Sequence, residues 1–127
     1  MKQRVLIIED DDFLRDLYRE LLTDEGFEVA EARDGDEGLE KASQGGWDLL
    51  IIDIMLPKRD GLDILRTLKT KPPAKKNGPA VLLTNLGQES IVREGFELGA
   101  AGYLIKSELN PEQVLHEVRT FLARGEK

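Results

Sequence analysis

Five polar side chains that follow apolar stretches of this sequence could together carry out phosphate chemistry. They are Glu9, Asp10, Asp53, Thr84 and Lys106. Carboxylates gathered without histidine or cysteine suit a hard, oxygen-preferring ion such as Mg²⁺, and without a cation they would repel one another. A lysine offers phosphate oxygens a mobile positive charge, and a hydroxyl can donate a hydrogen bond to the same oxygens. If the five side chains meet, they predict phosphoryl transfer to a carboxylate nucleophile.

The apolar stretches indicate five strands that alternate with helices. They cover residues 5–8, 27–30, 49–52, 80–83 and 103–105, and a helical pattern follows each of them. Short, continuous apolar runs are typical of strands buried on both faces, so we predict a doubly wound α/β domain with a parallel sheet. The carboxyl ends of such strands lie along one edge, where open α/β sheets bind ligands. The five polar side chains should therefore meet there.

Two glycines and an asparagine mark the ends of predicted helices. Gly26 is placed to end the first helix and Gly99 the fourth, because glycine readily adopts the left-handed backbone of a helix C-terminus. Asn110 predicts the N-cap of the last helix, with Pro111 at its first position and Gln113 three residues after the cap.

The composition bounds the classes of function. The chain has 127 residues and a formal net charge of -7, so we expect no direct binding of nucleic acid by this domain. It contains no cysteine, which excludes disulfides, thiolate catalysis and cysteine-based metal sites. The first apolar run is too short for a signal peptide or a membrane span, so we expect a cytoplasmic location and no membrane contact. Residues 1–123 form the predicted domain, and 124–127 are a tail or the start of a linker.

The sequence resembles the receiver domain of two-component response regulators, the chemotaxis-regulator-like family. The matching segments are residues 7–11, 48–57, 60–61, 82–85 and 99–106, which span most of the chain in the family's order and spacing. The resemblance implies a flavodoxin-like fold whose five-stranded parallel sheet has the order 2-1-3-4-5.

The resemblance also implies the roles of the strand-end residues. Asp53 would become the aspartyl phosphate. Glu9 and Asp10 would hold Mg²⁺ together with Asp53 and the backbone carbonyl of Met55. Lys106 would pair with the phosphoryl group.

A conformational switch and its partners are implied in the same way. Thr84 would swing toward the phosphate, and Tyr103 would turn inward to fill the space behind it, although an ordinary half-buried aromatic explains Tyr103 nearly as well. The phosphoryl donor would be a histidine kinase or a histidine phosphotransfer protein. The domain would turn over no separate substrate and would control a downstream protein or output domain.

Two departures from the family pattern carry their own expectations. The family usually has proline with a cis peptide bond after the lysine, whereas Ser107 follows Lys106 here. A cis bond before a residue other than proline costs about 2.5–4 kcal/mol, so we predict a trans bond. Ala101-Gly102 stands where many dimeric relatives carry an acidic pair, so we do not expect a symmetric dimer of that kind.

The positions two residues beyond Asp53 and Thr84 are also informative. They are Met55 and Leu86, both bulky and apolar. Neither side chain can orient an attacking water, so we predict a longer-lived phosphorylated state than in fast-resetting chemotaxis regulators.

Purely structural roles could also account for several of these residues. Glu9 and Asp10 could cap a helix, Lys106 could be a solvated lysine, and Thr84 could be an ordinary strand residue. An unpaired carboxylate after the apolar run before Asp53 would be costly, which favours a functional role there.

One rival function is a Mg²⁺-dependent phosphohydrolase with an aspartate nucleophile. Such an enzyme generally has a second aspartate where this chain has Met55. The other rival is an interaction module that keeps only the fold. The complete set of acidic, hydroxyl and lysine side chains argues against it.

Overall fold

Strands and helices alternate along the whole described chain. The computed structural model describes residues 2–85 and 88–125. The strands are β1 (Arg4–Ile8), β2 (Glu28–Ala32), β3 (Leu49–Asp53), β4 (Ala80–Thr84) and β5 (Gly102–Ile105). The helices are α1 (Asp12–Asp24), α2 (Gly35–Ser43), α3 (Gly61–Thr70), α4 (Glu89–Glu97) and α5 (Pro111–Gly125), and one 3₁₀ turn covers Lys106–Glu108.

The five strands form one parallel sheet in the order β2-β1-β3-β4-β5. This confirms the predicted doubly wound architecture and its strand order. The register places Ile8 beside Ile52, and Asp53 beside Leu83. The chain therefore leaves β1, β3 and β4 at neighbouring points of the same edge.

Alternating side chains of each strand pack on opposite faces of the sheet. Leu6 and Ile8 lie in a core with residues of α2, α3 and α4, whereas Val5 and Ile7 lie in a second core with α1 and α5. Burial on both faces explains why the central strands are continuously apolar. The two cores hold the three central strand ends in fixed positions at the edge.

The second strand differs from its predicted range of 27–30. It runs from Glu28 to Ala32 because the backbone N–H of Phe27 donates to Leu22 at the end of α1 and is not part of the sheet. β2 is an edge strand, so it tolerates polar residues such as Glu31 that obscure its apolar pattern.

The predicted helix ends are confirmed. Gly26 and Gly99 have φ values of 94° and 101°, the left-handed conformation that ends α1 and α4. Asn110 and Gln113 form a reciprocal capping box, with both backbone-to-side-chain bonds at 2.9 Å. The last helix continues to Gly125, so Arg124 and Gly125 are helical.

Two further observations concern the backbone of the described residues. The described part of the chain has no cis peptide bond, so the Lys106–Ser107 bond is trans, as predicted. None of the helices in residues 2–85 and 88–125 is long and apolar enough to cross a bilayer.

Candidate functional site

Three carboxylates meet at the carboxyl edge of the sheet. Glu9, Asp10 and Asp53 each place an oxygen within 4.8 Å of the others. Glu9 and Asp53 are buried, with 0% and 3% of their surfaces exposed, whereas Asp10 faces solvent. The parallel sheet brings together residues 43 or more positions apart in sequence because β1 and β3 are neighbours.

Lys106 reaches the same cluster from the end of β5. Its Nζ donates a hydrogen bond of 2.7 Å to Asp53 Oδ2 and lies 2.8 Å from Glu9 Oε1. β4 separates β5 from β3, so a long side chain is needed to span the gap. Lysine is therefore suited to this position by its reach as well as its charge.

The buried carboxylate oxygens of the site differ in how they are held. Asp53 Oδ1 accepts from the backbone N–H of Met55 at 3.1 Å, and Glu9 Oε2 accepts from that of Asp11 at 3.2 Å. Glu9 Oε1 is buried and faces the Lys106 ammonium at 2.8 Å, without an aligned hydrogen bond in the described structure. A buried oxygen left in this state fits a metal ligand.

The crowding of these charges shifts their proton affinities. Burial, followed by the interaction with Asp53, raises the pKa of Glu9 above its ordinary value. Burial and then Glu9 raise the pKa of Asp10 in the same way. Burial alone would lower the pKa of Lys106, but its contacts with Asp53 and Glu9 outweigh burial and raise it. The site thus favours additional positive charge, which a divalent cation would supply.

The loop between β3 and α3 turns sharply beside Asp53. The backbone N–H of Gly61 donates to Ile54 at 2.9 Å, and a Cβ at Gly61 would lie 2.5 Å from the Asp53 carbonyl oxygen. Only glycine fits at that distance. Asp60 caps α3 by accepting from the Asp63 N–H at 2.8 Å, so the loop closes immediately after the candidate nucleophile.

Thr84 and Tyr103 lie near the site but do not engage its carboxylates. The Thr84 hydroxyl donates to Gln88 Oε1 at 2.5 Å, and the same oxygen accepts from the Asn85 N–H at 2.8 Å. The Tyr103 side chain faces outward with 44% of the residue exposed and packs edge-to-face on Phe96, with ring centroids 6.1 Å apart. In this conformation, therefore, Thr84 is not turned toward Asp53 and Tyr103 is not turned inward, which are the positions that the family resemblance implies.

Sequence reasoning missed Arg15, which supports the site from behind. Its buried guanidinium donates to the Glu9 carbonyl at 2.9 Å, to Glu31 at 3.2 Å, and to Asp12. The available signal was its position three residues before Tyr18 on the apolar face of α1, where a charged residue is unusual. Arg15 fixes the backbone from which the Glu9 side chain projects.

A family comparison agrees with this geometry. The family model described as the response regulator receiver domain matches residues 5–119. The chain belongs to that family. It is a receiver domain of two-component signalling and not a classical enzyme, which favours the receiver over the phosphohydrolase alternative.

Relatives and solved structures support the assignment. The receiver domain is 36% identical over 124 residues to the transcriptional regulatory protein SrrA of Staphylococcus aureus, covering 98% of this chain and 49% of that protein. It is 32% identical over 122 residues to ResD of Bacillus subtilis, with 96% and 49% covered. The receiver domain thus spans about half the length of these curated relatives. A CheY-like receiver from Methanospirillum hungatei superposes with a TM-score of 0.88 at 27% identity, covering 99% and 98% of the two chains.

Proposed function

We propose that Asp53 is the phosphoacceptor of this receiver domain and that Lys106 stabilises the transferred group. The observation that carries the proposal is the position of the Lys106 ammonium, 2.7 Å from Asp53 and 2.8 Å from Glu9 at the sheet edge. An Asp53 oxygen attacks phosphorus as the bond between phosphorus and the donor's nitrogen breaks. The lysine is close enough to neutralise charge on the phosphoryl oxygens.

Mg²⁺ fits the same residues. Glu9, Asp10 and Asp53 would hold it, and the backbone carbonyl of Met55 is the proposed fourth ligand. The all-oxygen donor set supports this assignment, as does the buried Glu9 Oε1, which contacts the Lys106 ammonium without an aligned hydrogen bond. When bound, the ion offsets the negative charge that accumulates when a phosphoryl group approaches a carboxylate cluster.

Phosphorylation would switch the domain through Thr84. In the described conformation its hydroxyl is bonded to Gln88. A phosphoryl group on Asp53 provides a stronger, charged acceptor, so Thr84 would exchange partners and Tyr103 would turn inward. The domain would then present a different surface to a downstream protein or output domain.

The donor would be a histidine kinase or a histidine phosphotransfer protein. Exposed apolar side chains lie beside the strand ends in sequence, with 74% of Phe13 and 59% of Met55 accessible. Leu17 lines a groove together with Lys106. These side chains would contact the donor protein. The family supports a cytoplasmic location. The domain would promote its own phosphorylation, and it would also catalyse its own dephosphorylation at a slow rate.

The direct test is phosphorylation by acetyl phosphate with Mg²⁺, followed by mass spectrometry. One adduct is expected on Asp53, and Asp53→Asn should abolish it. Asp16→Asn is the matched control, because it removes an exposed carboxylate on α1 and should leave the adduct unchanged. An adduct that persists in Asp53→Asn and maps elsewhere would refute the assignment. No adduct in the parent chain would favour a phosphorylation-independent interaction module.

A further inference from the structure

A groove lies at the amino-terminal edge of the sheet, opposite the carboxylate cluster. Its floor is formed by Leu50 and Ala80, at the starts of β3 and β4. Leu65 and Leu68 of α3 form one wall, and Leu98 after α4 forms part of the other. The groove has a volume of about 570 Å³ and its lining is largely apolar.

The loop before β4 closes this groove with little conformational freedom. Pro72, Pro73 and Pro79 line it, and each has a fixed φ and no N–H group to satisfy. Asn77 anchors the loop, because its side chain accepts from the Trp47 N–H at 3.1 Å and donates to the Ala42 carbonyl at 3.0 Å. A preformed apolar surface loses little entropy when it is covered.

The segment that borders the groove is rich in positive charge although the chain is acidic. Residues 64–88 contain no aspartate or glutamate, but they contain Arg66, Lys69, Lys71, Lys75 and Lys76. Lys69 and Lys76 line the groove itself. Among the described residues, none of the four lysines is ion-paired with a carboxylate, and the Lys69 ammonium donates only to the Glu97 carbonyl.

We infer that this lysine groove, defined by Leu65, Leu68, Pro79, Leu98, Lys69 and Lys76, docks an acidic amphipathic segment of a partner protein. Leucine-type side chains of the segment would enter the groove, and its carboxylates would meet the lysines on the rim. The chain's formal net charge of -7 would repel an acidic partner elsewhere, so the basic rim selects both the place and the partner's charge. This inference is independent of phosphorylation at the opposite edge.

The apolar lining favours a peptide over a nucleic acid. Phosphate backbones are bound by cationic surfaces and stacking aromatic rings, and no aromatic side chain lines the lysine groove in the part of the chain that the structure describes. Amphipathic helices bury apolar side chains at i, i+3, i+4 and i+7 in grooves of this kind. Nucleic acid is therefore the competing outcome of the test.

The test uses a fluorescent helical peptide of about four turns, with Leu at i, i+3, i+4 and i+7 and Glu elsewhere. Fluorescence anisotropy should show saturable binding that weakens with salt. In NMR spectra, the changes in amide chemical shift should map to Leu68, Asn77 and Leu98. Lys69→Gln with Lys76→Gln should weaken binding about two- to tenfold, as expected for two exposed charge pairs. Arg33→Gln with Arg93→Gln removes equal charge from exposed positions outside the groove and should not weaken it.

Three matched probes decide between the alternatives. A peptide with Lys in place of Glu and one with Ser in place of Leu should both fail to bind the lysine groove. Shifts that map outside the groove, equal binding of the Ser peptide, or tighter binding of single-stranded DNA at the same lysines would overturn the proposal. Acetyl phosphate should phosphorylate the variant with both Lys69→Gln and Lys76→Gln as it does the parent. The docking proposal can therefore fail without the Asp53 proposal failing, and the reverse also holds.

Discussion

The Lys106 ammonium donates a 2.7 Å hydrogen bond to Asp53 Oδ2 across the intervening strand β4. The same nitrogen lies 2.8 Å from Glu9 Oε1. Lys106 thus offsets part of the repulsion between two buried carboxylates. A cation that enters the site competes with Lys106 for these carboxylates, whereas a phosphoryl group would compete with the carboxylates for the Lys106 ammonium.

Replacing Lys106 should separate metal binding from phosphorylation. In Lys106→Met, Mg²⁺ should bind several-fold more tightly because a competing positive charge is gone. Phosphorylation by acetyl phosphate should slow about tenfold or more, since electrostatic stabilisation of the transferred group is lost. Calorimetry and mass spectrometry measure the two effects. Lys58→Met, which removes an exposed lysine 3.5 Å from Asp34, is the control. Weaker Mg²⁺ binding in Lys106→Met would contradict this account.

The carboxylates of Glu9 and Asp10 should supply most of the Mg²⁺ affinity. Glu9→Gln and Asp10→Asn each remove one negative charge while keeping the shape of the side chain, so affinity should fall and phosphorylation should slow. We expect a loss of about tenfold for each, the size typical of disturbing a metal site. If both variants bind Mg²⁺ like the parent in calorimetry, the metal site lies elsewhere.

Mg²⁺ affinity should fall as the pH is lowered. Burial and Asp53 raise the pKa of Glu9 above 4.5, and burial and Glu9 raise that of Asp10 above 3.8. Mg²⁺ binds the ionised carboxylates, so its affinity should be highest above the raised pKa values and should fall as the pH drops through them. Calorimetry in buffers of different ionisation enthalpy should detect proton release in that range. Asp10→Asn should reduce this release, and an unchanged affinity down to pH values near the ordinary pKa would disprove the coupling.

Gln88 should hold the resting conformation by retaining Thr84. Its Oε1 accepts from both the Thr84 hydroxyl and the Asn85 N–H, at 2.5 and 2.8 Å. In Gln88→Ala the hydroxyl keeps only the Asn85 carbonyl as an acceptor, at 3.0 Å, so beryllofluoride should bind about two- to tenfold more tightly, the equivalent of one net hydrogen bond. Fluorine NMR titration measures this affinity. Gln44→Ala, at the end of α2, is the control. Weaker beryllofluoride binding in Gln88→Ala would show that Gln88 supports the active state instead.

The phosphorylated state should be long-lived because the flanking side chains cannot orient water. Met55 is apolar and 59% exposed beside Asp53, while the companion position Leu86 lies outside the described residues. Met55→Asn with Leu86→Glu should speed dephosphorylation about tenfold at constant Mg²⁺, because a polar side chain can position the attacking water. Decay of the phosphorylated protein after donor removal is the measurement. An unchanged or slower decay in the double variant would refute this explanation.

Much of the fold and the composition of the site followed from local sequence patterns. Continuous apolar runs predicted the four strands other than β2, and in β1, β3 and β4 burial on both faces demands such runs. Gly26, Gly99 and Asn110 predicted helix ends, because capping depends on residues close in sequence. β2 was misplaced since its exposed edge allows polar residues. The family resemblance, rather than the pattern, supplied the strand order.

Other features depended on side-chain conformations and on packing between separate elements, which the apolar pattern does not encode. The sequence by itself determined which side chains stand at the strand ends, because strand ends follow from hydrophobic runs. Only the tertiary structure decided that the Thr84 hydroxyl is bonded to Gln88, that Tyr103 faces outward, and that Arg15 is buried against the Glu9 carbonyl. Each arrangement is one of several rotamers open to the isolated side chain, and packing among separate elements selects it. The lysine groove likewise exists only where α3, α4 and the loop before β4 converge on the sheet.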